Sequence, residues 1–570
     1  MNYSYIGRLG DGRKGHTIKY PFFWVCFLIA VIGIALSVRP SFFNKPSGLQ
    51  PDIKSLNWAL ASPATGPLQV DSVNPRYFTD GSGKAILLTG SHTWANFQDA
   101  GEVNPPPVFD YAAYLDFLQQ NHHNFFRLWT WEQTMGIPSV AGEFRVTPSP
   151  YQRTGPGTAL DGKLKFDLTQ FYQAYFDRLR ERVIQAGERG IYVSIMLFNG
   201  FSIDDKGTGP GNAWPGHPFN LQNNINGVNG DLNNNGMGEE THTLQSPAIT
   251  ALQEAYVRKV IDTVNDLDNV LYEISNESPS NSQDWQYHMI NYVKSYEAGK
   301  PKQHPVGMTV EYPGGDNGEL FASPADWISP NDVGGYKDNP PVANGSKVIL
   351  TDTDHLWGIG GDRQWVWKNF TRGLNPIYMD CYNRIYCPDV DPNDPTRISL
   401  IKNMGYTLAY ASRMNLEKMV PHGELASTRY ALAYPVASGA EYLAYLPSGG
   451  TRTVDLRAAS GTLAVEWFNP SDGTTTIGGT TTGGAIRSFT PPFGGDAVLY
   501  IYQASPSTPT PTNGPTPTNG PTPTETQTPK RNPKYLPVIK NGVDISWLMG
   551  VLIMITTPLV WWMNSLMGKK

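Results

Sequence analysis

Short apolar segments alternate with helical stretches through most of this chain, and that alternation limits its fold more than any other feature. Ala85–Thr89, Asn124–Trp129, Tyr192–Leu197, Val270–Ile274, Pro305–Val310, Trp327–Ser329, Lys347–Thr351 and Pro376–Met379 read as strands. Phe109–Gln120, Leu168–Arg189, Ser246–Leu267 and Trp285–Ala298 read as helices between them. Strands that alternate with helices build a parallel sheet. Eight of them in about 350 residues predict an α/β protein with a (β/α)8 barrel and insertions. A doubly wound sheet is the alternative, but no Gly-rich phosphate turn follows an early strand.

In a barrel of this kind the chemistry sits at the strand C-termini. Leu271–Glu277 is an apolar-rich strand that runs out into an Asn-Glu pair, a common way to mount a catalytic acid. The other strand ends supply His92, Trp94 and Asn96, then Arg127, Trp129, Trp131 and Glu132, then Asn199, then Asp352, Asp354 and His355, and finally Asp380. His217 lies in the long loop after the third strand. Hydrolysis of a glycosidic bond needs two carboxyl groups flanking the scissile bond. Glu277 suits the proton-donor role, with Asn276 beside it to hydrogen-bond a sugar. Asp352 lies on the opposed seventh strand, and Asp354 is its rival for the second carboxylate. The plain structural readings are a salt-bridged Glu277 and aspartates that cap the following helix or bind a cation.

The flanks differ in character. From about Glu424 to Gln503, strand-like pieces separated by Gly, Ser, Pro and Thr predict a small antiparallel β-sandwich. Residues 504–544 form a Pro/Thr-rich stalk with two copies of Thr-Pro-Thr-Asn-Gly-Pro, which cannot build a core. A basic tail at 1–20 precedes an uncharged apolar run at 21–38, read as an uncleaved signal anchor rather than a signal peptide, and 39–67 is a polar lead. A second apolar run, 545–568, with Trp547, Trp561 and Trp562 near its edges, reads as a transmembrane helix. These features predict a barrel at 68–423 and a sandwich at 424–503, held outside the cell membrane.

Outside the cell, Cys381 and Cys387 are expected to pair in a small-loop disulfide, with two free thiols as the alternative; Cys26 lies in the first apolar run. The net charge of −6 gives no reason to expect nucleic-acid binding. Asp231, Asn233 and Asn235, followed by Gly236, match the opening of a calcium loop, but the twelfth position is His242 rather than Glu. No cofactor is expected beyond that candidate structural calcium.

The stretches Gly90–Asn96, Arg127–Glu132, Trp214–Gly227, Leu271–Ser278, Lys347–Gly358 and Gly373–Asp380 resemble the apiosidase-like glycoside hydrolases of the DUF4038 type. Glu441–Tyr502 resembles the small β-domain, labelled collagen-binding, that follows such barrels. The resemblance implies Glu277 as acid/base and Asp352 as nucleophile, where the wider clan carries Glu. Trp357 falls in a matched stretch and joins the expected substrate-binding set. The implied partner is a carbohydrate, and no collagen site is visible in the sequence. The alternative function is a non-catalytic carbohydrate- or matrix-binding surface protein. A peptidase is a third reading, for which no metal or nucleophile motif is found.

Overall fold

The structure is a computed structural model that describes residues 62–503, apart from 138–139, 205, 208, 210, 383–386 and 388–389. Both apolar runs predicted to meet a membrane, and the stalk, lie outside the described residues. Among the described residues no helix is long and apolar enough to cross a membrane.

Eight parallel strands form one sheet: β1 Gly90–His92, β2 Phe125–Leu128, β3 Tyr192–Asn199, β4 Val270–Asn276, β5 Val306–Thr309, β6 Trp327–Ser329, β7 Val348–Asp352 and β8 Asn375–Met379. The neighbour order runs β1-β8-β7-β6-β5-β4-β3-β2. The remaining seam is closed by Asn124 N–H donating to Thr89 O at 3.1 Å and by the Asn96 amide, which donates to Arg127 O and accepts from Trp129 N. Gly90 permits that approach, since a Cβ there would stand 2.2 Å from Phe125 O. The first strand therefore starts later than the apolar pattern of Ala85–Thr89 predicts, and Ile86 instead bridges antiparallel to Phe78.

The strands are buried along their whole length because helices cover the outside and side chains fill the inside. Helix Gln173–Gly187 buries Tyr175, Phe176, Leu179, Val183 and Ala186, and helix Pro247–Val264 buries Tyr256, Val257, Val260, Ile261 and Val264. This spacing is one helical face turned to the sheet. Inside, the Trp327 indole occupies the space that Gly307 leaves open, and Leu68, Phe125, Leu271, Val348 and Ile377 pack around it. The predicted helix from Leu168 is corrected at its start. Leu164–Phe171 pairs with Tyr151–Thr158 as a hairpin, and helix begins only at Gln173.

The C-terminal part is a six-stranded antiparallel sheet, with Arg452–Asp455 and Ile486–Phe489 forming a second, two-stranded layer. The period of two in Glu441–Leu446 gives each face a partner. Tyr442, Ala444 and Leu446 join the core between the layers, while Leu443 and Tyr445 join a second core with Trp367, Phe370 and Tyr410 from the last two barrel helices, Arg363–Thr371 and Pro395–Arg413. Arg363 pairs with Asp496 at 2.8 Å and Arg413 with Glu466 at 2.7 Å across the same junction.

Candidate active site

Arg127, in the middle of the barrel mouth, organises the strand ends. Its guanidinium, fully buried on β2, donates to both Glu273 oxygens, to Asn276 Oδ1 at 2.7 Å and to Asp352 Oδ2 at 2.8 Å, and Asp354 Oδ2 lies 3.5 Å away. Burial opposes its charge, but Glu273, Asp352 and Asp354 outweigh that cost and hold the proton more firmly than usual. Glu273 was not singled out from the sequence. Its signal is a carboxylate in mid-strand: Glu273 lies inside a strand whose every residue is buried. A charge there demands a partner.

Asp352 ends β7. His92 Nε2 donates to Oδ1 at 2.9 Å, and the same oxygen accepts the Asp354 N–H at 2.9 Å, capping the short helix Thr353–Trp357. Burial would raise its pKa, but His92 and Arg127 pull it well below the usual carboxylate range. Asp352 is thus ionised, fully enclosed and saturated with donors. The backbone turns helical after Asp352, and it is the helical turn that brings Asp354 to the mouth.

Glu277 follows β4 with φ of 45°, a conformation L-residues adopt rarely. Gly200 makes room for it, since a Cβ at 200 would stand 2.1 Å from Glu277 O. Burial pushes the Glu277 carboxyl up to about 7, against the opposing pull of Lys206 and Arg127. Carboxylate oxygens of Glu277 and Asp354 and a ring nitrogen of His355 lie within 4.8 Å of one another. Burial, then the neighbouring charges of Glu277 and Asp352, raises Asp354 well above the usual range. Two carboxyl groups this close titrate as a coupled unit, each opposing ionisation of the other.

These three side chains are also the candidate set for a metal ion. His355 Nδ1 accepts from the Ser329 hydroxyl at 2.8 Å, however, and its Nε2 donates to Asn276 Oδ1 at 3.2 Å. Burial lowers its pKa to about 3, so the ring is neutral with both nitrogens engaged. The arrangement favours a carboxyl pair over a metal centre.

Other residues expected at the site build its walls. Asn96 seals the β1–β2 seam, Asn199 donates to Thr130 O and caps the turn at Gly200, and Asp380 pairs with Arg397. Burial raises Asp380 to about 6. Trp129 and Trp131 are buried, with the Trp131 indole N–H donating to Trp94 O at 2.7 Å. His217 faces Glu132 at 3.3 Å and stacks on Trp214. His242 also meets Glu132, at 3.2 Å, and its Nδ1 contacts the Ser278 hydroxyl, next to Glu277. Burial would raise the Glu132 carboxyl, but His242 and His217 bring it down to about 2. Trp94 and Trp357 are half-buried at the rim. The pattern showed these residues at strand ends but not which of them faced inward.

Elsewhere, Cys381 and Cys387 form a disulfide. Asp231 accepts from the backbone N–H groups of Asn235 and Gly236, and Asn233 also accepts from Asn235, so the calcium-like loop is closed by its own turn. A cavity of about 490 Å³ in the β-domain is lined by Ser427, Thr428, Pro447, Ser448, Thr451, Arg452 and Thr453. It holds no carboxyl group and lacks acid chemistry.

A (β/α)8 barrel with a carboxyl pair at its strand C-termini is the architecture of many glycoside hydrolases. Residues 146–314 match a family model described as a domain of unknown function (DUF6298), and residues 422–501 match one described as "Putative collagen-binding domain of a collagenase". The barrel match is to DUF6298 rather than to DUF4038. No curated protein matches the chain. Among solved structures, a glycoside hydrolase is similar with a TM-score of 0.50 at 13% identity, over 77% of this chain and 97% of that chain. A glycoside hydrolase family 5 protein from Bacteroides vulgatus ATCC 8482 gives a TM-score of 0.47 at 15% identity, over 77% and 94%. The first likeness establishes a shared fold.

Proposed function

We propose that this protein is a membrane-anchored extracellular glycoside hydrolase that acts with retention, Glu277 serving as acid/base and Asp354 as nucleophile. The observation that carries the reading is the Glu277–Asp354 pair, with oxygens within 4.8 Å of each other and both carboxyls held above the usual range. Retaining enzymes hold their carboxyl groups about 5–5.5 Å apart, and inverting ones leave room for a water. One proton on the pair is the state the first step needs. Asp354 attacks the anomeric carbon while the bond to the leaving oxygen breaks and takes the Glu277 proton. Water then cleaves the glycosyl ester, giving its proton back to Glu277. Asp352, saturated by His92, Arg127 and the Asp354 N–H, positions the pair rather than attacking.

The extracellular setting is supported by the Cys381–Cys387 disulfide, which persists in oxidising compartments, and by the apolar runs and stalk of the sequence. The test is release of aryl and sugar leaving groups by residues 62–503 across a panel of glycosides, with proton NMR following the anomeric product. Retained configuration, abolished by Glu277→Gln, is expected. Retention of polysaccharide without product in wild type supports the binding-protein alternative and overturns the hydrolase.

A further inference from the structure

Two aromatic rings stand beside Glu277 and have no role in the pair's chemistry. Asn199 of β3 is in register with Asn276 of β4, and Tyr272 and Glu273 of β4 with Val306 and Gly307 of β5. Phe201 lies in the turn Gly200–Ser202 that follows β3, and Tyr312 follows β5. Tyr312 N–H donates to Ser278 O at 3.0 Å, which holds the segment after β5 against the residue next to Glu277. The Phe201 and Tyr312 rings lie parallel within 9°, centroids 6.3 Å apart, bridging strands β3 and β5 above the residue next to Glu277.

Tyr312 is 40% exposed, on a surface where large rings are otherwise mostly enclosed. Its backbone is fixed: Lys206 Nζ donates to Tyr312 O at 2.8 Å, and the same ammonium lies 5.9 Å from the Phe201 ring. The rings are thus held from behind and presented outward. An exposed, pre-positioned aromatic face costs apolar hydration and suits a flat ligand with an apolar face. The ring of a sugar offers such a face through its axial C–H groups.

The direction follows from the chemistry. A glycosidic bond undergoing cleavage lies between nucleophile and acid, and the acid protonates the leaving oxygen. Asp354 follows β7, whereas Phe201 and Tyr312 stand on the β3–β5 side, next to the acid. The leaving group therefore extends over the rings, and the sugar that stays behind lies toward Asp354, Trp94 and Trp357. We propose that Phe201 and Tyr312 form the leaving-group subsite and select substrates whose leaving group is itself a sugar ring. This inference rests on the proposed hydrolase reading and deepens it.

The test compares two probes that share the retained sugar: gluco-, manno- and galacto-configured disaccharides against the matching glycosyl fluorides, whose leaving group cannot stack. Tyr312→Ala is expected to lower the ratio of kcat/KM for disaccharide to fluoride about tenfold, and Tyr312→Phe to restore it. A ratio unchanged by Tyr312→Ala overturns the subsite. Disaccharide binding to Glu277→Gln, followed by calorimetry, separates the two claims. Tyr312→Ala on that background is expected to weaken Kd about tenfold. If wild type cleaves none of the probes while Kd still responds to Tyr312, the hydrolase reading fails and the sugar-ring subsite stands. An unchanged Kd overturns the subsite, and Phe201→Ala repeats the measurement from the other ring.

Discussion

Glu277 and Asp354, from opposed strands of the barrel, bring carboxylate oxygens within 4.8 Å of each other in a site where one guanidinium already serves Glu273 and Asp352. Burial raises both carboxyls of the pair, against the pull of Lys206 and Arg127 on Glu277. If Glu277 donates the proton, activity is lost on the alkaline side as pH rises through about 7, the value to which burial pushes its carboxyl, and on the acid side as Asp354 takes up a proton. Asp354→Asn removes the neighbouring like charge and lets Glu277 ionise at lower pH, and it abolishes the nucleophile. The expected result is a loss of about 10³-fold or more in kcat, with a residual alkaline limb displaced downward, read from pH–rate profiles of wild type and variant.

Arg127→Met should be felt mainly as lost stability. It leaves Glu273 and Asp352 buried without their counter-charge, a cost of about 3–5 kcal/mol. Asp352→Asn keeps the helix cap, because Asn caps as well as Asp, but weakens the bonds from His92 and Arg127. Urea unfolding should rank Arg127→Met below Asp352→Asn, and both below Asp354→Asn. If Asp354→Asn proves the most destabilising, the division between an anchoring and a reacting aspartate is wrong.

Gly200→Ala tests the backbone of Glu277. The new Cβ would stand 2.1 Å from Glu277 O and 2.6 Å from its carbonyl carbon, so β3 and β4 must part or Glu277 must leave its positive-φ conformation. Activity should fall by roughly 10²-fold through misplacement of the acid, with circular dichroism unchanged in shape.

A second raised carboxyl gives a pH test of stability. Burial, then a hydrogen bond with Glu319, pushes Glu311 up to about 8; Ser282 and Gln286 also donate to it. The folded state therefore holds a proton that the unfolded chain releases near its ordinary value of about 4.3. The resulting stabilisation is complete below that value and lost as pH rises to about 8. Glu277 and Asp380 act in the same direction. Glu311→Gln imitates the protonated form. At pH 8 its Tm should exceed that of wild type by roughly 2 °C, with no gain at pH 4.5; calorimetry at the two pH values decides.

Removal of the β-domain after Met419 should not yield a soluble barrel. Trp367, Phe370 and Tyr410 would lose Leu443, Tyr445, Phe468 and Val498, leaving an apolar face on helices Arg363–Thr371 and Pro395–Arg413. Light scattering should show association of the truncated protein, and the intact protein should unfold in one transition because the two parts share that core.

Local pattern was enough to predict the barrel and the β-domain, and to place Glu277 at a buried strand end. Strands and helices announce themselves through periods of two and 3.6, and the Leu271–Glu277 segment carries its burial and its Asn-Glu end in consecutive residues. The pattern failed at Leu168, where apolar spacing served a hairpin, and at Ala85, where closure of the seam at Gly90 decided the start of the strand. Which of Asp352 and Asp354 is saturated with donors, and which strand-end residues seal the walls, was decided only by tertiary structure. Both aspartates sit two residues apart with the same chemistry. They differ because His92 and Arg127, brought in from β1 and β2, saturate one of them, while Glu277, brought in from β4, opposes ionisation of the other. Proton affinity is set by burial and by charges across space, and neighbours across space are what a linear sequence does not contain.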